Sequence, residues 1–445
     1  MDKIHVGKIG FISPHIAYGL LRSPNSVLLE SQKNGRYSYI ALNPIKIFKS
    51  KGMDIEITEK GVTTQMKCNP IDELRKTLGR GRRKKGLPLF YSGAIGYIGY
   101  DIVHFFEKLP KTAKDDLDLP DIYLIFPRDI LFFDHLKKTA KILSKTKKGL
   151  DEVVDRLKKP VKKKENQTRK SVKFKSNYTK KKYFEAVKRC REYVRAGDSF
   201  QIKISQRFEC EVTEDPYEVY LRLRRINPSP YGAYLDLDGV TLVSCSPEHL
   251  VKVEKGNVET RPIGGTYPRG KNKREDLLLA KKFMSDEKEK SEHTMLIDLE
   301  RNDLGRVCKC GSLKVNELMA LERYSHLMHI VTNIMGRLAK GMDVFDVLKA
   351  MFPGGTITGC PKIRTMEIID EVEPNARGPY TGSIGFITPS DEMDLNIIIR
   401  TLIVKDGRGY IQVGGGIVAD SNPEREYQET FEKAYALFEA VEGGR

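Results

Sequence analysis

The stretch SDEKEKSEHTMLIDLERNDLGRV, Ser285 to Val307, holds residues whose types and spacing could do chemistry. Wound as a helix, it sets Glu289, Glu292, His293, Leu296 and Leu299 on one stripe, at spacings of three and four. The leucines turn that stripe toward a core, and carboxylates that face a core are costly unless something cationic meets them. A second Glu-x-x-Glu pair, Glu426 and Glu429, lies in SNPEREYQETFEKAYALFEAV, with Lys433 one turn further on. On a helix each pair holds its Cβ atoms about 5–6 Å apart. Two such helices facing each other would make an oxygen-rich pocket for one hard cation. Mg²⁺ takes one or two carboxylates, keeps waters and leaves positions for an anionic substrate. Spacing alone equally allows two solvated faces, with Glu429 and Lys433 as an ordinary ion pair.

Those side chains need elements to hold them. The terminal segment predicts a helix capped by Asn422, with Pro423 in its first turn and its end at Gly443. Its apolar face reads as Tyr427, Phe431, Ala434 and Phe438, with Glu426, Glu429 and Lys433 on another face. YTKKKYFEAVKRCREYVRAGD (178–198) is an amphipathic helix stopped by Gly197. SFQIKISQRFECEV alternates as a strand, Phe200, Ile202 and Ile204 on one face and Gln201, Lys203 and Ser205 on the other. SVLLES, RYSYIAL, DIEIT, YTGSIGFIT, LNIIIRTLIV and GYIQVGGGIV read as further strands. Strands follow strands, with helices inserted between groups. That predicts an α+β fold of large, mostly antiparallel sheets packed together with flanking helices. Residues 1–156 form a β-rich amino-terminal region, 157–177 a polar, basic linker, and 178–445 the region carrying the chemistry.

The 445 residues, 40% hydrophobic, are ample for a large core. No run of about eighteen apolar residues predicts a membrane helix, and the N-terminus lacks a signal peptide's apolar block. A soluble, cytoplasmic protein is expected. Seven scattered cysteines without a CxxC predict reduced thiols and no structural zinc. The net charge of +17 raises nucleic-acid binding as a reading from another class. However, the runs at 79–85, 158–164 and 179–183 have no interleaved aromatics and no groove-reading motif. They predict a basic surface that attracts acidic metabolites, not nucleic acid.

Five segments occur in order: RPIGGTYPRG, SEHTMLIDLERNDLGRV, FPGGTITGCPKIRTMEIIDEVEP, RGPYTGSIGFI and GGGIVADSNPEREYQET. Together they resemble the chorismate-utilising enzymes: anthranilate synthase component I, aminodeoxychorismate synthase component I, isochorismate synthase and salicylate synthase. The resemblance is densest over 178–440, with a weaker echo in LLES (28–31) and GRYSYIALNP (35–44). It implies that Glu292 and Glu429, supported by Glu289 and Glu426, hold Mg²⁺ against the ring carboxylate of chorismate. Arg400 and Tyr380 would hold the enolpyruvyl carboxylate, where a planar guanidinium fork suits the geometry. Gly414, Gly415 and Gly416 would bring backbone N–H groups to the anion, although a close-packed strand end is an equal reading of those glycines. Glu248 matches the general acid for the departing hydroxyl, which needs burial or nearby negative charge to raise its pKa. His293 matches the family's active-site histidine, and Thr358 and Lys433 are further substrate contacts.

Members of this family differ in what attacks the ring. Isochorismate and salicylate synthases place a lysine where this chain has Gln201, and a neutral amide cannot activate water as a general base. Amination is therefore expected, with ammonia from a glutamine amidotransferase subunit, since no glutaminase signature is present. TITGCPK, MEIIDEVEP, GSIGF, GGGIVADS and EYQETF lean toward aminodeoxychorismate synthase, the preferred reading. LLES and NPSPY lean toward anthranilate synthase, the alternative. There Ser31 and Tyr231 would help form a tryptophan pocket, although Gly232 stands where such enzymes usually carry Met. Gly264 replaces both the nucleophilic lysine of many aminodeoxychorismate synthases and the alanine of anthranilate synthases. Lys203 could reach the ring as a replacement; an ion-paired or solvated lysine is the other reading.

Overall fold

The computed structural model describes residues 4–33, 35–160, 171–323 and 327–443. Of the expected linker 157–177, residues 161–170 lie outside the described residues.

Two large sheets grow from a shared pair of strands, Tyr37–Lys51 and Ile122–Asp134. Pro44 and Pro127 stand opposite each other in this pair, and the register shifts there between Pro44 and Lys46. Neither proline can donate to the ladder, so the pairing breaks and both strands can change direction. One half of the pair continues through Ser26–Glu30, Tyr231–Leu237, Val240–Ser246, Thr401–Lys405 and Arg408–Ile417 to Gln201–Glu211. The other half continues through Ala94–Ile98, Ser383–Thr388, Glu392–Asn396, His249–Glu254 and Asn257–Arg261 to Leu327–Arg337. These pairings are antiparallel throughout, as the expected α+β class requires. In each sheet a block of strands from residues 1–156 joins a block from residues 178–445 at one seam, Ser26–Glu30 against Tyr231–Leu237 in one and Ala94–Ile98 against Ser383–Thr388 in the other.

Side-chain alternation along these strands sets four layers. Val27, Tyr39, Ala41, Leu235, Ile384, Phe386 and Ile403 meet between the sheets. Their neighbours Leu28, Ile40, Tyr234 and Leu402 point the other way, into helices Pro14–Leu21, Lys147–Leu157, Pro216–Ile226 and Pro423–Glu442. On the far side, Val251, Val253, Met393 and Leu395 pack on helices Pro70–Leu78, Glu287–Gly305 and Val344–Met351.

The local signals are honoured with three exceptions, one being LNIIIRTLIV, expected as a single strand but broken at 397–400 between Glu392–Asn396 and Thr401–Lys405. Helix Lys180–Ala196 ends at Gly197 with φ +84°, and Asn422 caps Pro423–Glu442 by accepting from the N–H groups of Glu424 and Arg425. Ile202 and Ile204 are buried against helices Lys180–Ala196 and Lys362–Val372, whereas Phe200 precedes the strand and is 70% exposed. On the terminal helix the buried stripe runs through Glu426, Thr430, Ala434 and Leu437, so Glu426 heads the core face and does not share a separate polar one. Among the described residues no helix is long and apolar enough to cross a membrane. The seven cysteines are free thiols.

Candidate active site

Strand Gln201–Glu211 is the foundation. Arg408–Ile417 pairs along it, setting Gly416 opposite Lys203, Gly415 opposite Ile204 and Gly414 opposite Ser205. Helix Glu287–Gly305 crosses one end of the strand, and the Gln201 amide donates to Glu292 Oε2 at 3.2 Å. The terminal helix packs on the glycine strand. Lys433 donates to Glu429 at 2.7 Å and to the Gly414 carbonyl at 2.8 Å, while Arg400 donates to the Lys433 carbonyl at 2.6 Å.

Glycines let these layers approach. A Cβ on Gly415 would lie 3.1 Å from Glu426 Oε2, one on Gly416 2.7 Å from Lys203 Nζ, and one on Gly265 2.4 Å from Glu289 Oε2. The structure thus brings both Glu-x-x-Glu pairs, Gln201, Lys203 and Lys433 to one region. What meets the inward carboxylates is protein: the Gln201 amide on Glu292, Lys433 on Glu429, and the Lys203 charge, which acts on Glu289, Glu292, Glu426 and Glu429.

The acids respond to this crowding. Burial raises Glu289 above the ordinary carboxylate value, and Glu292 and Asp286 raise it further. Burial likewise raises Glu426, with Glu429 adding to it against the pull of Ser421. For Glu429 burial also acts upward, but Lys433 outweighs it and holds the group low. As placed, no three His, Cys, Asp or Glu side chains among the described residues close on a common point as a ready metal cage. The donor set nonetheless suits a hard cation: carboxylate oxygens only, on glycine-lined walls, with one member of each pair taken by a neutral amide or an ammonium.

Glu248 is 5% exposed, and its Oε1 has no hydrogen-bond partner. Burial raises its pKa against smaller opposing pulls from Thr356, Lys203, Ile263 and Lys433. Gln201 Oε1 and His293 Nδ1 are buried and equally unpartnered. Unpaired buried polar atoms are uncommon in a folded chain, and a group of them marks a place that a polar ligand would complete. His293 is fully buried, its Nε2 lies 2.7 Å from Thr332 Oγ1, and burial depresses its pKa to about 4. A Cβ on Gly264 would lie 2.1 Å from His293 Nδ1, so His293 fills the space a side chain at 264 would need.

Tyr380 is buried, and its hydroxyl would lie 3.0 Å from a Cβ on Gly414. Arg400 is embedded close by, its charge facing Tyr380 and Glu429 while burial lowers its pKa. Arg400 itself has φ +53°, and Thr381, the residue after Tyr380, has φ +61°, both left-handed backbone. Thr358 is fully buried, and its hydroxyl donates to the Gly354 carbonyl at 2.9 Å. Ser31 and Tyr231 stand elsewhere. They line a cavity of about 760 Å³ between the sheets, together with Pro247, His249 and Ile263; the expected catalytic, carboxylate-binding and metal-holding side chains do not line it. The Gln32 amide would lie 2.3 Å from a Cβ on Gly232, so it fills the space a side chain at 232 would need.

Sequence reasoning missed the brace behind the site. Glu373 accepts from the Ser205 N–H and hydroxyl at 2.8 Å each, and Arg377 binds Glu373 at 2.8 Å. The same guanidinium donates to the Lys203 carbonyl at 2.7 Å and the Ile357 carbonyl at 3.0 Å. The i,i+4 spacing in EPNAR was the only available signal, and a proline between the two residues hides it as a helix pair.

The chorismate binding enzyme family model matches residues 24–439. Anthranilate synthase component 1 of Acetivibrio thermocellus is 42% identical over 442 residues, covering 93% of this chain and 90% of that one. Aminodeoxychorismate synthase component 1 of Bacillus subtilis is 41% identical over 438 residues, covering 94% and 91%. The crystal structure of anthranilate synthase component I from Streptococcus pneumoniae TIGR4 aligns with a TM-score of 0.82 at 35% identity, over 96% of this chain and 98% of that one. With both carboxylate pairs, Glu248 and the glycine strand all inside a match that spans nearly the whole sequence, the chain belongs to the family of chorismate-binding enzymes.

Proposed function

We propose that the chain is the synthase subunit of a chorismate-aminating enzyme, and that it makes 4-amino-4-deoxychorismate with ammonia from a glutaminase partner. The observation that carries amination is the Gln201 amide on Glu292. A neutral donor occupies the place from which a base would activate water, leaving an incoming amine as the nucleophile.

Each residue then has a task. Glu248, whose pKa burial raises, donates a proton to the departing allylic hydroxyl. Arg400 and Tyr380 orient the enolpyruvyl carboxylate, and the N–H groups of the glycine strand face the anion. Glu289, Glu292, Glu426 and Glu429 would hold Mg²⁺, which when bound neutralises the ring carboxylate. Neutral His293 walls the pocket beside Gly264, leaving no room there for a lysine nucleophile.

The choice of product rests on location. Gly414–Gly416 and Thr358 belong to the motifs that resemble aminodeoxychorismate synthases, and they lie beside the carboxylate site. The anthranilate synthase-like residues Ser31 and Tyr231 line the separate cavity. That cavity, large enough for an aromatic amino acid, is the observation favouring the second reading, anthranilate synthesis under feedback control. Purified chain supplied with chorismate, Mg²⁺ and ammonium at high pH should consume chorismate and yield 4-aminobenzoate once an aminodeoxychorismate lyase is added. Fluorescent anthranilate forming without the lyase would establish the second reading instead.

A further inference from the structure

Lys203 is fixed at its backbone. Its N–H donates to the Thr358 carbonyl at 2.8 Å, and its own carbonyl accepts from Arg377 at 2.7 Å. The side chain runs over Gly416, where a Cβ would lie 2.7 Å from Nζ, so the glycine opposite is what gives the ammonium its place. Among the described residues Nζ forms no ion pair with any single acid. Its charge acts instead on Glu248, Glu289, Glu292, Glu426 and Glu429 together. Lys433, by contrast, is committed to Glu429 and the Gly414 carbonyl. The two Glu-x-x-Glu pairs thus meet two lysines, one bound to a single acid and one, among the described residues, bound to none.

We propose that Lys203 is a resident counter-ion of the carboxylate site. It offsets the four acids while no divalent ion is present and weakens their hold on that ion, so that the ion exchanges readily. In this role Lys203 acts through its charge against the opposing effects of burial and Lys433, which lower its pKa, and it forms no bond to substrate; it is a positioning residue. The inference rests on the carboxylates being the Mg²⁺ site, as read above. A lysine with a single acid partner would stabilise that partner alone. One shared among the acids from a distance acts on the site's total charge, which is what a divalent ion responds to.

Equilibrium Mg²⁺ binding by the full chain, with Mn²⁺ followed by electron paramagnetic resonance as a second probe, tests this without substrate. Lys203→Met should bind Mg²⁺ at least about tenfold more tightly than the wild type, the ion and the ammonium being like charges in a partly desolvated site. It should also melt lower than the wild type without the ion and recover when the ion is added. Lys203→Arg, which keeps the charge, should bind within about threefold of the wild type. Lys203→Gln, a second neutral replacement, carries the same expectation if the Met variant is recovered unfolded. Neutral variants that bind Mg²⁺ no more tightly than the wild type overturn the proposal. If wild type and variants alike take up no Mg²⁺, the metal reading itself falls and takes this one with it, a result distinguishable from the first.

Discussion

Replacing Arg377 by methionine removes the cation from the brace behind the Gln201 strand. Its side chain is 2% exposed and that of Glu373 3%, so the pair is screened from water. The change leaves the Glu373 charge buried without its partner and takes donors from the carbonyls of Lys203 and Ile357. Breaking a buried pair from one side costs about 3–5 kcal/mol, a large part of the ~5–15 kcal/mol that holds a typical domain folded. The double replacement Arg377→Met with Glu373→Gln leaves no stranded charge and keeps an acceptor for Ser205. Its loss should be smaller, about 1–2 kcal/mol, from hydrogen bonds alone. Urea unfolding followed by circular dichroism and by tyrosine fluorescence, the chain having no tryptophan, reads both variants. Coincident transitions are needed before a free energy is assigned. The single variant should also consume chorismate more slowly, because the strand it steadies carries Gln201 and Lys203. A single variant that loses less than about 1 kcal/mol, or a double variant that loses more than the single, would refute the brace.

Glu248→Gln keeps the size and removes the acidic proton; it should cut turnover by about 10²–10⁴-fold with an unchanged melting temperature, measured by chorismate consumption. In the wild type the same rate should fall as pH rises through the elevated Glu248 pKa, and a flat alkaline limb would count against the acid role. Glu30, 3% exposed, sits with Arg224, His15 and Tyr220; burial opposes ionisation, but these partners win and lower its pKa to about 2. Its contribution is therefore complete above the unfolded value and disappears as pH falls from about 4.5 toward 2, so Glu30→Gln should cost on the order of 3 kcal/mol at pH 7 and nothing at pH 2 by chemical denaturation. Arg400→Lys keeps the charge and loses the planar fork, so steady-state kinetics should show chorismate KM rising at least about tenfold, with a smaller change in kcat.

How far the sequence was legible depends on the range of each signal. The Glu289–Leu299 stripe, the Asn422 cap and the Gly197 stop are local periodicity and capping, and all three are found. The face of the terminal helix was misread because Tyr427 and Phe431 outweigh a glutamate in any apolar count. In the fold Glu426 points toward Gly415, whose missing side chain makes room for it. Phe200 was assigned to the strand interior by alternation, but pairing begins one residue later and leaves it in water. The Glu373–Arg377 brace depends on carbonyls at 203 and 357, and no pattern within ten residues points to them. The bend at Pro44 and Pro127 was equally hidden, since it takes two prolines far apart in sequence to stand opposite each other.

That bend bears on any attempt to divide the protein. Because Ser26–Glu30 lies beside Tyr231–Leu237 and Ala94–Ile98 beside Ser383–Thr388, a fragment starting near Tyr178 would carry two stripped β-edges, each with a row of bare amide and carbonyl groups. Such a fragment should come off the ribosome sticky and insoluble. Supplying the missing residues before Tyr178 as a separate polypeptide, co-expressed so that its strands can pair along both edges, is the route by which a split version would regain solubility.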